Sequence, residues 1–548
     1  MSRYRSFLIV AFAAVALSAG AREQEKAAGP TSSQPFAVSS ANAEAKSAFE
    51  KGIRYLHGFN HDEALKRFRE AGKLDPNFAM ADWGVALALG PHINNVAVPP
   101  EKAKEAWKAV QSARAKADGC SELEKALIEA MAKRYSEEPP KDRVPLDRAY
   151  AEAMGKVWER FSGEPEIGAM YAESLMNLRP WDLWDLDGTP RPETPIVVAT
   201  LEKVMELSPN HPLALHLYIH AVEASPTPER ADAPSDRLRA LNLEFGHLVH
   251  MPSHIDVRLG KWQKAIEANV RAIEADRNYV ERAKEQGFYR IYMAHNRHML
   301  AFAAIMQGES KRALESVRAM IAEIPAEWLK DDQAAGFADG LHASPIEILI
   351  RFGRWDEALA EPEPIERFPV ARTLRHMARG CAYAAKGDVA AARESQKQFR
   401  ERKAKLPESA IVGNNPAAKV VEIADHMLEG EILAREGKID EAVASLRKGI
   451  AVEDTLKYDE PPDWILPVRH ALGAVLVRAG RLAEAESVYR DDLRRWPNNG
   501  WSLFGLADSL QRQGKIREAV EARRNFDEVW KRADVKLSSS CFCQAEGG

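Results

Sequence analysis

Seven of the chain's 15 histidines fall between residues 216 and 298, and their spacing is what first suggests chemistry. His216, His220 and Glu223 run i, i+4, i+7, which on a helix lines all three along one face. His247, His250 and His254 run i, i+3, i+7, and His295 and His298 are one turn apart. A single helical histidine is ordinary; eight donor groups on three short segments ask for a shared partner. Neutral imidazole suits zinc, copper, iron and nickel, and a carboxylate among the donors suits zinc or iron better than copper(I). Seven imidazoles and a glutamate suffice for one divalent transition-metal ion (copper, zinc or iron) or a close pair. A copper pair would suit dioxygen activation, and a zinc or iron pair the activation of water, which leaves oxidoreductase and hydrolase chemistry both open. The same side chains could instead bind an anionic or aromatic ligand, or hydrogen-bond to one another. Pro252 falls inside the second segment and weakens its helical spacing.

Other residues nearby are candidates to orient such ligands: Arg258, Asn269, Tyr292 and Asn296. Met251 and Met299 adjoin the cluster, where methionine is more often packing than a soft copper ligand. His57 and His61 read as turn and capping residues. His92, in the insertion 91–100, stands outside the helical frame and could fold over a groove. The insertion 179–195 carries Trp181, Asp182, Trp184, Asp185 and Asp187. It is either a lid over the histidines or a segment packed on the outer face. Cys541 and Cys543 read as a frayed tail, with a disulfide or a metal-binding tail as alternatives. There is no GxSxG, Walker A loop, dinucleotide fingerprint or CxxC pair, so serine or cysteine nucleophilic catalysis has no support.

What must position these residues is helical and repetitive. The chain has 548 residues, 45% hydrophobic and 29% charged, an ordinary folded composition. A net charge of −5 provides no basic field for nucleic acid. Beyond the N-terminus nothing reaches the roughly 18 apolar residues of a membrane span. Arg3 and Arg5, the apolar run from Phe7 to Leu17, and Ala19-Gly20-Ala21 read as a cleavable signal peptide, 1–21. Residues 22–42 read as a flexible leader. The protein is therefore expected to be exported, to the periplasm or beyond.

From there Gly52, Tyr55, Ala64, Phe68, Ala71 and Pro76 set a pattern that returns at Gly473, Gly480, Ala485, Tyr489 and Pro497, and at Gly380, Tyr383, Gly387 and Ala392. Gly430, Gly437 and Ala442 give a further unit, and Gly514 with Ala519 another. This pattern resembles the tetratricopeptide repeat, a helix–turn–helix of about 34 residues. The resemblance implies an all-α, right-handed superhelical solenoid, with repeats over 43–135 and 331–535, a helical segment with the Trp/Asp-rich insertion over 136–200, histidine-rich repeats over 201–330, and a tail at 536–548. It also implies which side chains face the concave groove: the second, fifth, ninth and twelfth of each repeat. Counting from Pro212, Gly246 and Ala294, the candidate ligands occupy those places. HMPSHI (250–255) and AHNRHML (294–300) resemble motifs of exported bacterial tetratricopeptide proteins, a likeness that supports fold and export and supplies no reaction.

Two functions follow. One is an exported solenoid with a metal-capable histidine site on its concave face. The other is a metal-free scaffold that binds a protein or peptide partner in the groove. Mass spectrometry of the secreted protein is expected to place the mature N-terminus at or near Arg22; a chain that retains Arg3 and Arg5 excludes cleavage there.

Overall fold

A computed structural model describes residues 37–542. The expected signal peptide, most of the leader, and Cys543 lie outside the described residues.

The body is a succession of antiparallel helix pairs, an all-α repeat solenoid. In the first pair, Ala43–His57 and His61–Leu74, the asparagines cap both helices: Asn42 accepts from the backbone N–H groups of Glu44 and Ala45, and Asn60 from that of Glu63. The end of the leader is tied down, with the Ser39 backbone N–H donating to Glu124 at 2.6 Å. The seam between helices is set by one aromatic ring held between two glycines. A Cβ added to Gly52 or Gly84 would lie 2.5 or 2.4 Å from the Phe68 ring. Much later in the chain, Gly473 and Gly505 flank Tyr489 at 2.3 and 2.2 Å. Small residues recur in the sequence because a helix needs a bare backbone where a neighbour's aromatic ring lies flat against it.

Sequence leads one to expect no strand, yet residues 411–412 pair antiparallel with 415–416. The tight turn between them runs through Gly413 with φ 50°, a left-handed conformation that glycine adopts without steric cost. The expected frayed tail is also corrected over residues 540–542. Ser540 Oγ donates to the His470 carbonyl at 2.9 Å and meets the Tyr489 hydroxyl at 2.7 Å, while Cys541 is buried with Sγ donating to Glu431 Oε1 at 3.5 Å. Phe542 packs edge-on against Trp501. Aromatic burial holds these residues in place.

The buried apolar side chains form three cores: an N-terminal one over 45–170, a central one over 59–293 and a C-terminal one over 257–541. The C-terminal repeats fold back onto the middle of the chain. Trp501 Nε1 donates to the Ile305 carbonyl at 2.8 Å, and Trp262 Nε1 to that of Pro497 at 3.1 Å. Asp534 accepts from the backbone of Ser310 and Lys311 at 2.8 and 2.9 Å. On the other side Tyr55 packs edge-on against Phe245 at 5.4 Å. The central histidine-bearing helices are therefore gripped from both ends, and the face that a simple solenoid would leave as an open groove is covered. Among the described residues no helix is long and apolar enough to cross a membrane.

Replacing Gly473 by valine is expected to cost at least the ~1–3 kcal/mol of an overpacked core, because the Tyr489 ring has nowhere to go. Replacing Phe68 by alanine should cost ~3–5 kcal/mol. Thermal unfolding followed by circular dichroism measures both, and a valine variant as stable as the parent would refute the ring-between-glycines seam.

Candidate metal centre

Three helical stretches carry the histidines: Pro212–Val222, the pair Gly246–His250 and Pro252–Arg258, and Arg290–Gln307. Pro252 divides the second stretch in two, as its missing N–H requires. The expected loss of register does not follow, because Met251 stays right-handed helical (φ −48°, ψ −41°) and carries the direction across the break. His250 and His254 consequently meet, Nε2 to Nε2, at 2.7 Å. Gly246 opens this stretch because no side chain fits: its Cβ would lie 1.9 Å from Asp276 Oδ1. Asp276 is in turn held by Asn296 Nδ2 at 2.7 Å, so Asn296 braces the helix start and touches no histidine ring nitrogen.

The candidate ligands gather in two trios. His216, His220 and His247 form one, and His250, His254 and His295 the other, each offering ligand atoms that all lie within 4.8 Å of one another. The trios adjoin, since the rings of His220 and His254 are 5.5 Å apart and those of His247 and His250 6.0 Å. A third group joins Glu223, His254 and Glu460. His298, expected with the rest, is in none of these groups. It lies one helical turn beyond His295, with its pKa lowered to about 4 by burial. Met251 and Met299 are fully buried in the central and C-terminal apolar cores and serve as packing.

The outward-facing nitrogens fix how the inner ones point. His216 Nδ1–H donates to the His57 carbonyl at 3.0 Å, so its Nε2 presents a lone pair. His250 Nδ1–H donates to Asn269 Oδ1 at 2.7 Å, and Asn269 is locked by its own bond to the Ala265 carbonyl at 2.8 Å; His250 Nε2 is again a lone pair. His220 Nδ1 meets Glu223 Oε1 at 2.8 Å, leaving Nε2 buried without a partner. His247 Nε2 lies 3.1 Å from His216 Nε2. That contact is a hydrogen bond only if His247 carries its proton on Nε2, which leaves its buried Nδ1 unsatisfied. A metal-bound histidine characteristically has its other ring nitrogen held by a carboxylate, a carbonyl or an amide.

Charge follows burial. His216, His247, His250 and His295 are pushed well below the usual imidazole range by burial and then by their histidine neighbours, so each is neutral and able to ligate. His254 goes the other way and must release its Nε2 proton to ligate. Burial disfavours its charge, but Glu223 and Glu460 outweigh that and raise it to about 10. Burial would likewise raise Glu223, yet His254 and His220 hold it down to about 2. His254 Nδ1 stands 2.6 Å from Glu223 Oε2 and 3.2 Å from Glu460 Oε2, although its N–H lines up with neither oxygen. Short ion-pair distances with poor alignment make this an electrostatic contact more than a directed hydrogen bond.

Phe59 carries no signal in the sequence, whereas Trp181 belongs to the insertion expected either to lid the histidines or to pack on the outer face. Phe59, at the turn between the first two helices, covers His216 and His247 at ring distances of 4.3 and 5.5 Å. Trp181 stands edge-on to His220 at 5.3 Å and donates to Asn94 Oδ1 at 3.0 Å. Both hold left-handed backbones, φ 54° and 58°, a conformation that costs a bulky residue energy and clusters at functional sites. Trp181 thus makes its insertion a cover over the histidines. His92 is buried and stacked on His61 at 4.1 Å, with Phe59 beside it. His57 exceeds its expected turn role: with His211 it grips Glu166 at 2.8 and 3.1 Å. Tyr292 packs against His247 at 4.2 Å. Arg258 donates to the Glu223 carbonyl. A narrow cleft walled by Trp181, Trp184, Arg179 and Tyr458 leads to His220 and Glu223.

With this geometry in hand, comparisons bear on the frame that holds it. Residues 466–491 match the family model for the tetratricopeptide repeat, the segment containing Gly473, Gly480, Ala485 and Tyr489. That segment matches one such repeat within the helical solenoid. Among solved structures, the helical solenoid is similar to a human IFIT1 dimer with PPP-AAAA. That match has a TM-score of 0.34 and 14% identity, and covers 90% of this chain and 96% of that one. It is also similar to the APC/C hetero-tetramer Cut9-Hcn1, at a TM-score of 0.30 and 12% identity, over 92% of this chain and 79% of that one. No curated protein matches the sequence. Within the solenoid, Gly246→Ala is expected to destabilise by several kcal/mol, on the order of the larger point-mutant effects, because Asp276 must give way. A melting temperature equal to that of the parent would refute the close approach.

Proposed function

We propose that this tetratricopeptide protein holds a close pair of transition-metal ions, one in each histidine trio, and that it works outside the cytoplasm as its N-terminal segment suggests. The observation that carries the reading is the convergence of lone pairs. His216 and His250 each turn an unprotonated Nε2 inward, and in each case a second imidazole nitrogen lies within 3.1 Å. Two ligands on one tetrahedral ion, at about 2.0–2.1 Å from it, stand roughly 3.3 Å apart. Burying so many imidazoles with single nitrogens unsatisfied is costly, and an ion satisfies several at once.

Three imidazoles per ion leave a position open, the arrangement of catalytic more than structural zinc sites. All-nitrogen trios favour copper or zinc, with the carboxylates acting from behind the rings. The cleft beside Trp181 borders His220 and Glu223. A protein partner lying in the groove has no access to these histidines, since five of them are 7% exposed or less; partner binding by the solenoid belongs to other surfaces.

Metal analysis of the purified protein, followed by titration with zinc and with copper(II), tests the reading. The parent is expected to take up two equivalents, and His216→Ala and His250→Ala should each lose one while remaining helical by circular dichroism. Cys541→Ser should leave metal content unchanged. Copper(II) should quench Trp181 emission, and Trp181→Phe should abolish that part of the quenching. A parent that carries no metal and takes none up would make the histidines a hydrogen-bonded core instead.

A further inference from the structure

We infer that Glu460 is a positioning residue for His254, so that the C-terminal half of the chain sets the metal affinity of a site whose ligands all lie in the central repeats. The inference rests on the metal reading above and adds a part the histidine helices do not contain.

His254 is the ligand with the most anionic surroundings. Its Nδ1 faces Glu223 Oε2 at 2.6 Å and Glu460 Oε2 at 3.2 Å. Glu223 alone is divided between two rings, since its other oxygen serves His220 at 2.8 Å. Glu460 supplies the second carboxylate and is 1% exposed. Two ions held by neutral imidazoles would bring four positive charges into a dry core, and these two carboxylates are placed to offset up to half of that charge. A carboxylate beside the outer nitrogen also favours the proton there and raises the ring's basicity as a ligand.

Glu460 is itself held with care. Tyr458 donates to Glu460 Oε1, and Arg258 lies over the Tyr458 ring at 5.5 Å. The small hairpin at 411–416 clamps the same segment. Asn415 Nδ2 donates to the Lys457 carbonyl at 3.0 Å and to Asp463 Oδ2 at 2.6 Å, Asn415 Oδ1 accepts from the Lys457 N–H at 2.8 Å, and the Asn414 N–H donates to Asp459 Oδ2 at 3.1 Å. Trp464, Ile465 and Leu466 are buried just beyond. The hairpin that interrupts an all-helical fold thereby gains a purpose: it presents 457–463 to the histidines.

The test uses the full chain and cobalt(II), whose visible absorption reports ligand geometry, alongside zinc calorimetry. Glu460→Gln keeps the size and removes the charge. It should weaken zinc binding by about 10–100-fold, the range seen when partners of ligating histidines are removed, shift the cobalt spectrum, and leave the saturating stoichiometry unchanged. The melting temperature without metal should stay near that of the parent, whereas the rise on adding zinc should shrink. Tyr458→Phe, which keeps the carboxylate but frees it, should lose affinity by a smaller factor and serves if Glu460→Gln does not fold. Parental affinity and spectrum in both variants would overturn the role of Glu460 while leaving the metal site intact. A parent that binds neither ion would overturn the metal reading itself, and this inference with it.

Discussion

A buried imidazole has two nitrogens to satisfy and can turn only one toward its neighbours. That constraint organises the centre of this protein. Each histidine whose outer nitrogen is engaged, by the His57 carbonyl, by Asn269, by Glu223 or by the Glu223–Glu460 pair, has its inner nitrogen aimed at the others. The helices, the caps and the covering aromatics are then placed by where those outer partners must be. His57 ends the first helix of the solenoid and Glu460 comes from its C-terminal part, so the cluster can be assembled only if the chain folds back on itself. The contacts that close it, Trp501 to Ile305 and Trp262 to Pro497, belong to the same requirement as the site.

Repeats ordinarily contact only their neighbours, which makes a solenoid open and nearly one-dimensional. Here long-range contacts give up that openness. The polar side chains of the central helices become a buried core that must be neutralised from within. Gly246 illustrates the tightness of the arrangement: a missing methyl lets Asp276 approach, Asp276 holds Asn296, and the Tyr289 hydroxyl takes up the His247 backbone N–H at 3.0 Å.

The repeats and the histidine trios were legible in the sequence for the same reason: both are periodic. Glycine, alanine and an aromatic at fixed offsets report where helices must approach closely, and i, i+3, i+4 and i+7 report a shared face. His216, His220, His247, His250, His254 and His295 were found that way, and Asn269 and Tyr292 by their nearness. The exceptions are instructive. His298 has the right spacing but is in neither trio. Phe59 and Glu460 sit in turns and loops where no period runs, and they reach the site through tertiary closure, while Trp181 was marked only by the aromatic density of its insertion. Pro252 looked like a defect because its helix-breaking effect is local, while the direction of the chain on either side is set by packing. The tail at 540–542 looked frayed because a short polar and aromatic stretch carries no sign of the Trp501 and Tyr489 surfaces that hold it.

Phe59 and Trp181 close over the histidines with backbones that bulky residues seldom adopt. A cover of that kind governs time as much as affinity. Whatever sits beneath these rings exchanges more slowly for the cover, at a rate set in part by local opening of the chain, since strained turns must move. Occupancy of such a site records the solution in which the chain closed. The common affinity order of divalent metals, which favours copper over most competitors, would then count less than which ion was present at closure, and the compartment in which the protein folds would choose the element it carries.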